Sequence, residues 1–261
     1  MMSNILGQII VYYTYINIMI FNLFKSKPTL KELIPNGFVD IHSHILPGID
    51  DGAKNISESL LLISKMKKMG FSKIIGTPHT YPGLYNNSNE SIKKSYDLVK
   101  KEINENIQVD YASEYLLDKS LVEKIKNNSI LCLKNNFILI ELPFIDMPLN
   151  TYEIIFEIRT NGYIPVLAHP ERNRYIFNNF KEFYKLKNAG CMFQLNLFSL
   201  LGYYGKDILD ISKKLLNQEL IDFTASDVHN KKQIIMFENQ ILLKNCKKIK
   251  EIIEKTIKEF S

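Results

Sequence analysis

Short apolar runs rich in β-branched residues alternate with longer amphipathic segments along this chain, and this alternation limits the fold more than any other feature. The apolar runs after residue 36 occupy 38–42, 73–77, 108–114, 137–142, 164–169, 191–196 and 221–227. Helical patterns lie at 57–70, 89–106, 150–162, 179–190, 206–219 and 231–260. Because neighbouring parallel strands are joined by crossovers that usually contain a helix, this order predicts an α/β fold whose parallel strands are buried on both faces.

All five histidines of the chain lie at or just after the C-terminal ends of the predicted strands. They are His42, His44, His79, His169 and His229, and the same ends carry Asp51, Glu114, Glu141, Asn196 and Asp227. One such histidine is more often structural than functional, but a structural role does not explain five of five. In a β/α-barrel the C-terminal strand ends converge on one mouth, which holds the active site. The sequence therefore predicts an active site built from several strands.

Nine of these side chains are candidate metal ligands. His42 and His44 are two residues apart on a strand and point to the same side, and Asp227 and His229 repeat this spacing. The candidates are His42, His44, Asp51, His79, Glu114, Glu141, His169, Asp227 and His229. Nine nitrogen and oxygen donors exceed the needs of one ion, so we expect two or three ions of manganese, iron or zinc that share a bridging carboxylate. Such clusters favour hydrolysis, with phosphate esters as the natural substrate.

Arginine is rare in this chain, yet Arg172 and Arg174 both follow His169 within five residues. Arginine binds phosphate in a planar, two-pronged way that lysine cannot reproduce. We expect Arg172 to bind the substrate phosphate and to act in catalysis together with His44 and Asp227. Asn196 and Tyr81 are expected to contact the substrate, although Tyr81 could equally be a packing residue.

The remaining composition excludes several classes of protein. The net charge of +5 comes from lysines that are not interleaved with aromatic residues, so nucleic-acid binding is not expected. The three cysteines form no C-x-x-C pair, which argues against a disulfide framework or a thiolate zinc site. No cysteine is followed by arginine six positions later, so the loop of cysteine-dependent phosphatases is absent.

The first 24 residues contain no charged side chain, and Lys25, Lys27 and Lys31 follow them. This stretch is long enough to span a bilayer, and the lysines after it favour a cytoplasmic domain attached to the inner face of the membrane. Four amide side chains weaken that interpretation, and a translation start at Met19 would leave only a short leader. Both alternatives stay open. Since no linker interrupts the later pattern, we expect an apolar extension, 1–35, and one domain, 36–261.

Five motifs together resemble the polymerase and histidinol phosphatase (PHP) family, and in particular its bacterial tyrosine-protein phosphatase branch of capsular and exopolysaccharide synthesis. The motifs, in chain order, are "DIHSHILPGIDDG", "GTPHTYPG", "IELP", "AHPERN" and "ASDVHN". The resemblance covers roughly residues 36–230. Many relatives have histidine in place of Asp51 and Glu141, and the carboxylates at both positions indicate the tyrosine-phosphatase branch rather than the histidinol-phosphate one.

The resemblance implies a distorted seven-stranded TIM-like (β/α)7 barrel with three divalent ions, most often Mn²⁺, with Fe or Zn as alternatives. It implies that His42, His44, Glu114 and Asp227 hold one ion, Asp51, His79 and His229 a second, and Glu141 and His169 a third, with Glu114 bridging. It also implies attack on phosphorus by hydroxide bridging the metals, and a phosphotyrosine protein substrate, typically a bacterial tyrosine autokinase. The alternatives are a phosphatase for a small metabolite such as histidinol phosphate, and a binding module whose metals are purely structural.

Overall fold

The computed structural model describes residues 27–104 and 106–261. Its strands are β1 (Phe38–Ser43), β2 (Phe71–Gly76), β3 (His79–Thr80), β4 (Gln108–Tyr111), β5 (Glu114–Leu116), β6 (Phe137–Glu141), β7 (Ile164–Ala168), β8 (Met192–Asn196) and β9 (Phe223–Ala225). Its helices are α1 (Leu30–Leu33), α2 (Ile56–Lys68), α3 (Asn89–Glu102), α4 (Lys119–Lys126), α5 (Thr151–Thr160), α6 (Lys181–Asn188), α7 (Lys206–Asn217), α8 (Lys231–Met236) and α9 (Lys247–Phe260). Short 3₁₀ turns occupy Pro170–Arg172, Arg174–Ile176 and Leu197–Leu201.

The strands form two sheets in which every neighbouring pair is parallel, as the βα alternation predicts. One sheet has the order β1-β2-β4 and the other the order β3-β5-β6-β7-β8-β9. The predicted strand 108–114 is divided into β4 and the start of β5, and β3 is an additional short strand that follows β2 after two residues. The short strands β3 and β5 belong to the second sheet and pair with each other there, with His79 opposite Glu114. Sheet pairing therefore gives an α/β fold with two parallel sheets among the described residues, and the distorted seven-stranded barrel stays a prediction.

The first and last strands lie side by side at their C-terminal ends. The backbone nitrogen of Asp227 donates to the carbonyl of His42 at 2.8 Å, and the nitrogen of His44 donates to the carbonyl of Val228 at 2.8 Å. Ser43 and Val228 form an isolated parallel bridge between these segments. The pairing brings the "DIHSH" and "ASDVHN" segments together across most of the chain length.

The strands separate two apolar layers. The inner one includes Ile41, Leu139 and Val166 and is closed at one end by Phe260 of α9. Phe260 is fully buried, and its ring centroid lies 5.3 Å from that of Phe137 and 5.0 Å from that of Phe223. The outer layer lies between the strands and the surrounding helices. Alternate residues of a strand thus pack into different layers, as expected for strands buried on both faces.

The segment after α8 departs from the predicted helix 231–260. Backbone groups at 237–241 bond to residues 28–31, since Leu30 donates to Asn239, Lys31 donates to Phe237 and Ile241 donates to Pro28. These bonds replace helical ones, so the predicted helix becomes α8 and α9. The packed unit consequently includes residues 28–34, which the expected boundary at 35/36 leaves outside.

The apolar stretch 1–24, predicted as a membrane anchor or a leader, lies outside the described residues. Within 27–104 and 106–261, none of the helices has both the length and the apolar character needed to cross a bilayer.

Candidate active site

The nine predicted ligands come together where the strand ends of both sheets meet. His42 lies at the end of β1, His44 and Asp51 follow it, His79 and Glu114 open β3 and β5, Glu141 ends β6, His169 follows β7, and Asp227 and His229 follow β9. Each of the nine belongs to at least one group of ligand atoms that lie within 4.8 Å of one another. The groups share members, so the nine form one continuous cluster.

The first set of donors consists of His42, His44, Glu114 and Asp227, whose inner atoms are almost equally spaced. Nε2 of His42 lies 3.2 Å from Nε2 of His44, 3.2 Å from Oε2 of Glu114 and 3.3 Å from Oδ1 of Asp227. Nε2 of His44 lies 3.4 Å from that glutamate oxygen and 3.3 Å from that aspartate oxygen. Four ligands about 2.0–2.1 Å from a tetrahedral ion are about 3.3–3.4 Å apart. The spacing therefore fits one metal ion.

The outer nitrogens of both histidines in this set are fixed by polar side chains. Nδ1 of His42 lies 2.9 Å from Oε1 of Gln194, and Nδ1 of His44 lies 2.7 Å from Oδ2 of Asp50. Gln194 Oε1 and the Asp50 carboxylate are acceptors, so each imidazole donates its Nδ1–H outward and points Nε2 inward, where that nitrogen would bind a cation in place of a proton. Partners of this kind orient the ring and strengthen it as a ligand.

The second set consists of Asp51, His79 and His229. Oδ1 of Asp51 lies 3.5 Å from Nε2 of His79 and 3.5 Å from Nε2 of His229. Asp51 is half exposed, whereas the first set is almost completely buried. The ring of His79 also stacks on Tyr85, with centroids 5.5 Å apart and planes 13° from parallel. This set lies at the solvent side of the cluster.

The third set consists of Glu114, Glu141 and His169. Nε2 of His169 lies 3.3 Å from Oε1 of Glu114 and 3.5 Å from Oε1 of Glu141. Glu114 presents its other oxygen, Oε2, to the first set. One carboxylate thus has an oxygen in each of two sets, which is the geometry of a bridging ligand.

Unpaired buried oxygens show that these residues fit a metal centre. Within the described residues, both carboxylate oxygens of Glu114 and Oε1 of Glu141 are buried and accept no hydrogen bond. Buried polar atoms without partners are rare because leaving them unpaired is costly. Divalent cations in the first and third sets would supply partners for these three oxygens. Sequence reasoning expected this role from the donor types, and the burial supplies an independent physical reason for it.

The electrostatics of the cluster point the same way. Burial lowers the pKa of His42, but Glu114 and Asp227 outweigh that effect and raise it to about 9. Burial and the neighbouring Glu114 raise the pKa of Glu141 to about 8. The carboxylates lie so close together that the neighbouring groups, His42 and Glu141, bind protons more strongly than usual. A bound cation would supply the positive charge that these protons supply otherwise.

Arg172 lies at the edge of the cluster, as predicted. Its Nη1 donates to Oδ2 of Asp227 at 2.7 Å, and its side chain remains 20% exposed. The guanidinium carbon lies 4.7 Å from the ring centroid of Tyr204 and 5.6 Å from that of Phe144. Two aromatic rings and one carboxylate therefore hold the guanidinium in place while part of it faces solvent.

The two other predicted substrate contacts are buried. Asn196 is fully buried, and its amide donates to Asp227 at 2.9 Å and to the Tyr204 hydroxyl at 3.0 Å. Tyr81 is 8% exposed, and its hydroxyl donates to Oε2 of Glu141 at 2.6 Å. Both side chains contact candidate metal ligands, so geometry favours a positioning role over substrate contact.

Two ligand candidates have a backbone conformation that non-glycine residues seldom adopt. The φ angles are 30° at His169 and 54° at Asp227. Such conformations cost free energy and concentrate at functional sites, where the surrounding structure maintains them. Asp40 supports this region, since its carboxylate accepts from the backbone nitrogen of Ser226 at 2.8 Å and also from its hydroxyl. Asp40 thus holds the strand end beside Asp227, whereas Gln194 and Asp50 orient the histidines.

Sequence reasoning missed Asp50, Gln194, Tyr204 and Phe144. Gln194 was detectable, because it lies two residues before Asn196 on one strand and therefore on the same side. Asp50 accepts from the Gly52 nitrogen at 2.9 Å, as a turn residue would. Its second carboxylate oxygen contacts His44, which the sequence does not reveal.

Comparison with known proteins agrees with this geometry. Residues 38–256 match the family described as capsular polysaccharide synthesis, CpsB/CapC. The chain is 36% identical to tyrosine-protein phosphatase YwqE of Bacillus subtilis over 198 residues, covering 74% of this chain and 78% of that protein. It is 31% identical to tyrosine-protein phosphatase CpsB of Streptococcus agalactiae over 201 residues, covering 74% and 83%.

A solved structure supports the same relationship. It is described as one of YwqE from Bacillus subtilis and CpsB from Streptococcus pneumoniae, unique metal-dependent tyrosine phosphatases. The TM-score is 0.71 at 34% identity, over 75% of this chain and 81% of that one. The resemblance expected from the five motifs is therefore confirmed. This chain belongs to the CpsB/CapC family of capsular polysaccharide synthesis proteins.

Proposed function

We propose that this protein is a metal-dependent protein-tyrosine phosphatase that hydrolyses phosphotyrosine in a protein of capsular or exopolysaccharide synthesis. The observation that carries the proposal is the convergence of nine nitrogen and oxygen donors beside Arg172. Relatives that share about a third of its residues are named tyrosine-protein phosphatases, which supports the choice of substrate. A tyrosine autokinase is the substrate protein that we favour.

The three sets of donors would hold three divalent ions, and Mn²⁺ is our first choice. Bound there, the ions would lower the pKa of water to give hydroxide at neutral pH and neutralise charge on the phosphoryl group. Glu114 would hold two of the sets at a fixed separation through its two oxygens. Asp50 and Gln194 would keep His44 and His42 in the tautomer that leaves Nε2 free.

Arg172 would bind the phosphate oxygens that face away from the metal sets. The guanidinium has five N–H donors, and one of its nitrogens is engaged by Asp227, so further donors remain for a phosphate. Its stacking on Tyr204 fixes the plane in which those donors point. Asn196 and Tyr81, which we predicted as substrate contacts, would act by positioning Asp227 and Glu141.

We further propose that the two sheets together form a distorted seven-stranded barrel. The contact between β1 and the segment after β9 supports it, because this contact joins the first strand to the last. The catalytic domain would be 36–261 together with the packed residues 28–34. The lysines that follow the uncharged stretch 1–24 favour a cytoplasmic location, at the inner face of the membrane if that stretch is an anchor.

A substrate panel assayed across added metals tests the function. We expect metal-stimulated hydrolysis of para-nitrophenyl phosphate and of a phosphotyrosine peptide, and slow hydrolysis of histidinol phosphate. His42→Ala should abolish both activities while its circular dichroism spectrum stays unchanged. Faster turnover of histidinol phosphate would favour the small-metabolite alternative. Metal-bound protein without any phosphatase activity would favour the binding-module alternative.

A further inference from the structure

Three large apolar side chains are exposed close together in the loop between β6 and α5. We call Phe144, Ile145 and Leu149 the apolar rim. Their exposed fractions are 54%, 92% and 106%. Single exposed apolar residues are common on protein surfaces, but several within six residues of one loop indicate a contact surface. The only charged residue of 142–150 is Asp146, so this surface suits apolar partners better than charged ones.

Phe144, at one end of the apolar rim, lies at the edge of the candidate active site. The loop begins directly after Glu141, a candidate ligand. The Phe144 ring centroid lies 5.6 Å from the guanidinium carbon of Arg172. The Tyr175 hydroxyl donates to the carbonyl of Pro143 at 2.9 Å, which ties the loop to the segment that carries Arg172. A substrate whose phosphate contacts Arg172 would therefore have the rim beside it.

The depth of the cluster determines which part of a substrate reaches the rim. The first set of donors is almost fully buried, so a bound phosphate would lie well below the surface. The rigid ring of phosphotyrosine would lie between the bound phosphate and the surface, and the polypeptide on either side would remain at the mouth. Exposed apolar surface also continues along α5, because Tyr152 and Phe156 are 37% and 65% exposed and four residues apart on one face. A free metabolite is too short to use such a strip.

We propose that the apolar rim binds apolar side chains next to the phosphotyrosine of a protein substrate, an inference that rests on the proposed phosphatase function. The rim therefore determines which phosphotyrosine proteins are hydrolysed efficiently. Within the active site, most of the binding free energy would come from the phosphate and the aromatic ring of the substrate. The flanking residues would lower KM without changing the rate of phosphoryl transfer.

The test compares two phosphotyrosine peptides of equal length, one flanked by leucines and the other by serines, with para-nitrophenyl phosphate as a third substrate. The variant is the double substitution Ile145→Ser and Leu149→Ser. The control is Leu98→Ser, a leucine that is 50% exposed on α3. Wild type and control should prefer the leucine peptide, and the double variant should lose about tenfold in kcat/KM on it, through KM. The double variant should hydrolyse the serine peptide and para-nitrophenyl phosphate as wild type does.

Equal kinetics of wild type and double variant on both peptides would overturn the proposal. So would an equal loss on all three substrates, because that would indicate a damaged site. Sedimentation of wild type and double variant tests whether the rim instead binds a second copy of the chain. A wild-type dimer that dissociates in the double variant, with no change in peptide preference, would assign the rim to that contact and overturn the proposal. Wild type that hydrolyses no aryl phosphate would overturn the proposed function itself, and the substrate-docking role of the rim with it.

Discussion

Asp50→Asn offers a sharp test of the metal centre, because it changes a residue that we expect to touch no metal ion. Both Asp50 and His44 have fully buried side chains, and Oδ2 of Asp50 lies 2.7 Å from Nδ1 of His44. The same oxygen accepts from the backbone nitrogen of His79 at 3.2 Å, and Oδ1 accepts from that of Gly52 at 2.9 Å. The carboxylate thus receives three N–H groups on two oxygens.

Asparagine cannot reproduce this pattern in either orientation of its amide. If the amide nitrogen points toward His44, it faces the N–H donors of both His44 and His79. If it points toward Gly52, it faces the N–H donor of Gly52. An unpaired buried donor costs about 1–3 kcal/mol, and the charge assistance of the bond to His44 is lost as well. Loss of a partner that orients a metal ligand typically weakens metal affinity about 10- to 100-fold, or about 1.4–2.8 kcal/mol.

The assay is the chelator concentration at which half of the activity and half of the bound metal are lost. We expect Asp50→Asn to lose metal at about 10- to 100-fold lower chelator activity than wild type and to regain most of its kcat in excess metal. Asp118→Asn is the matched control, since Asp118 accepts backbone N–H groups at the start of α4 and contacts no candidate ligand. If Asp50→Asn and Asp118→Asn release metal at the same point as wild type, the orienting role of Asp50 is refuted.

Three further changes test other parts of the structure. Arg172→Lys keeps the charge but loses the two-pronged phosphate contact, so kcat/KM should fall about 100-fold, and a loss below threefold would exclude the phosphate role. Burial raises the pKa of the Cys191 thiol to about 12, so replacing all three cysteines by serine should leave turnover within about threefold; loss of turnover in a well-folded variant would contradict hydrolysis without a cysteine nucleophile. Phe260→Ala removes a ring packed on Phe137 and Phe223, and it should lower the free energy of unfolding in urea by about 3–5 kcal/mol; a loss under 1 kcal/mol would contradict tight closure of the inner layer.

The candidate site was predictable because its residues obey a rule of topology. Polar side chains at the C-terminal ends of parallel strands must meet at one end of the fold, whichever strands pair. The nine donors and Arg172 could therefore be chosen before any contact was known. Gln194 and Asp50 could not be paired with particular histidines in the same way, since those contacts depend on side-chain direction and on how the loop after β1 folds back.

Parts of the fold were unpredictable for a related reason. The sequence 231–260 has a helical pattern throughout, but 237–241 forms backbone bonds with 28–31, which lie at the other end of the chain. Long-range pairing of this kind overrides local preference. Helix α4 was missed although a signal existed, because Asp118 caps it by accepting from the nitrogens of Ser120 and Leu121. Its eight residues are too few for a clear periodic pattern.

The two oxygens of Glu114 have a consequence for how the protein would acquire its ions. The side-chain rotamer that places Oε2 in the first set also places Oε1 3.3 Å from Nε2 of His169. An ion in either set would hold Glu114 in the orientation that the other set needs. Ion binding in the two sets would therefore be coupled through one side chain.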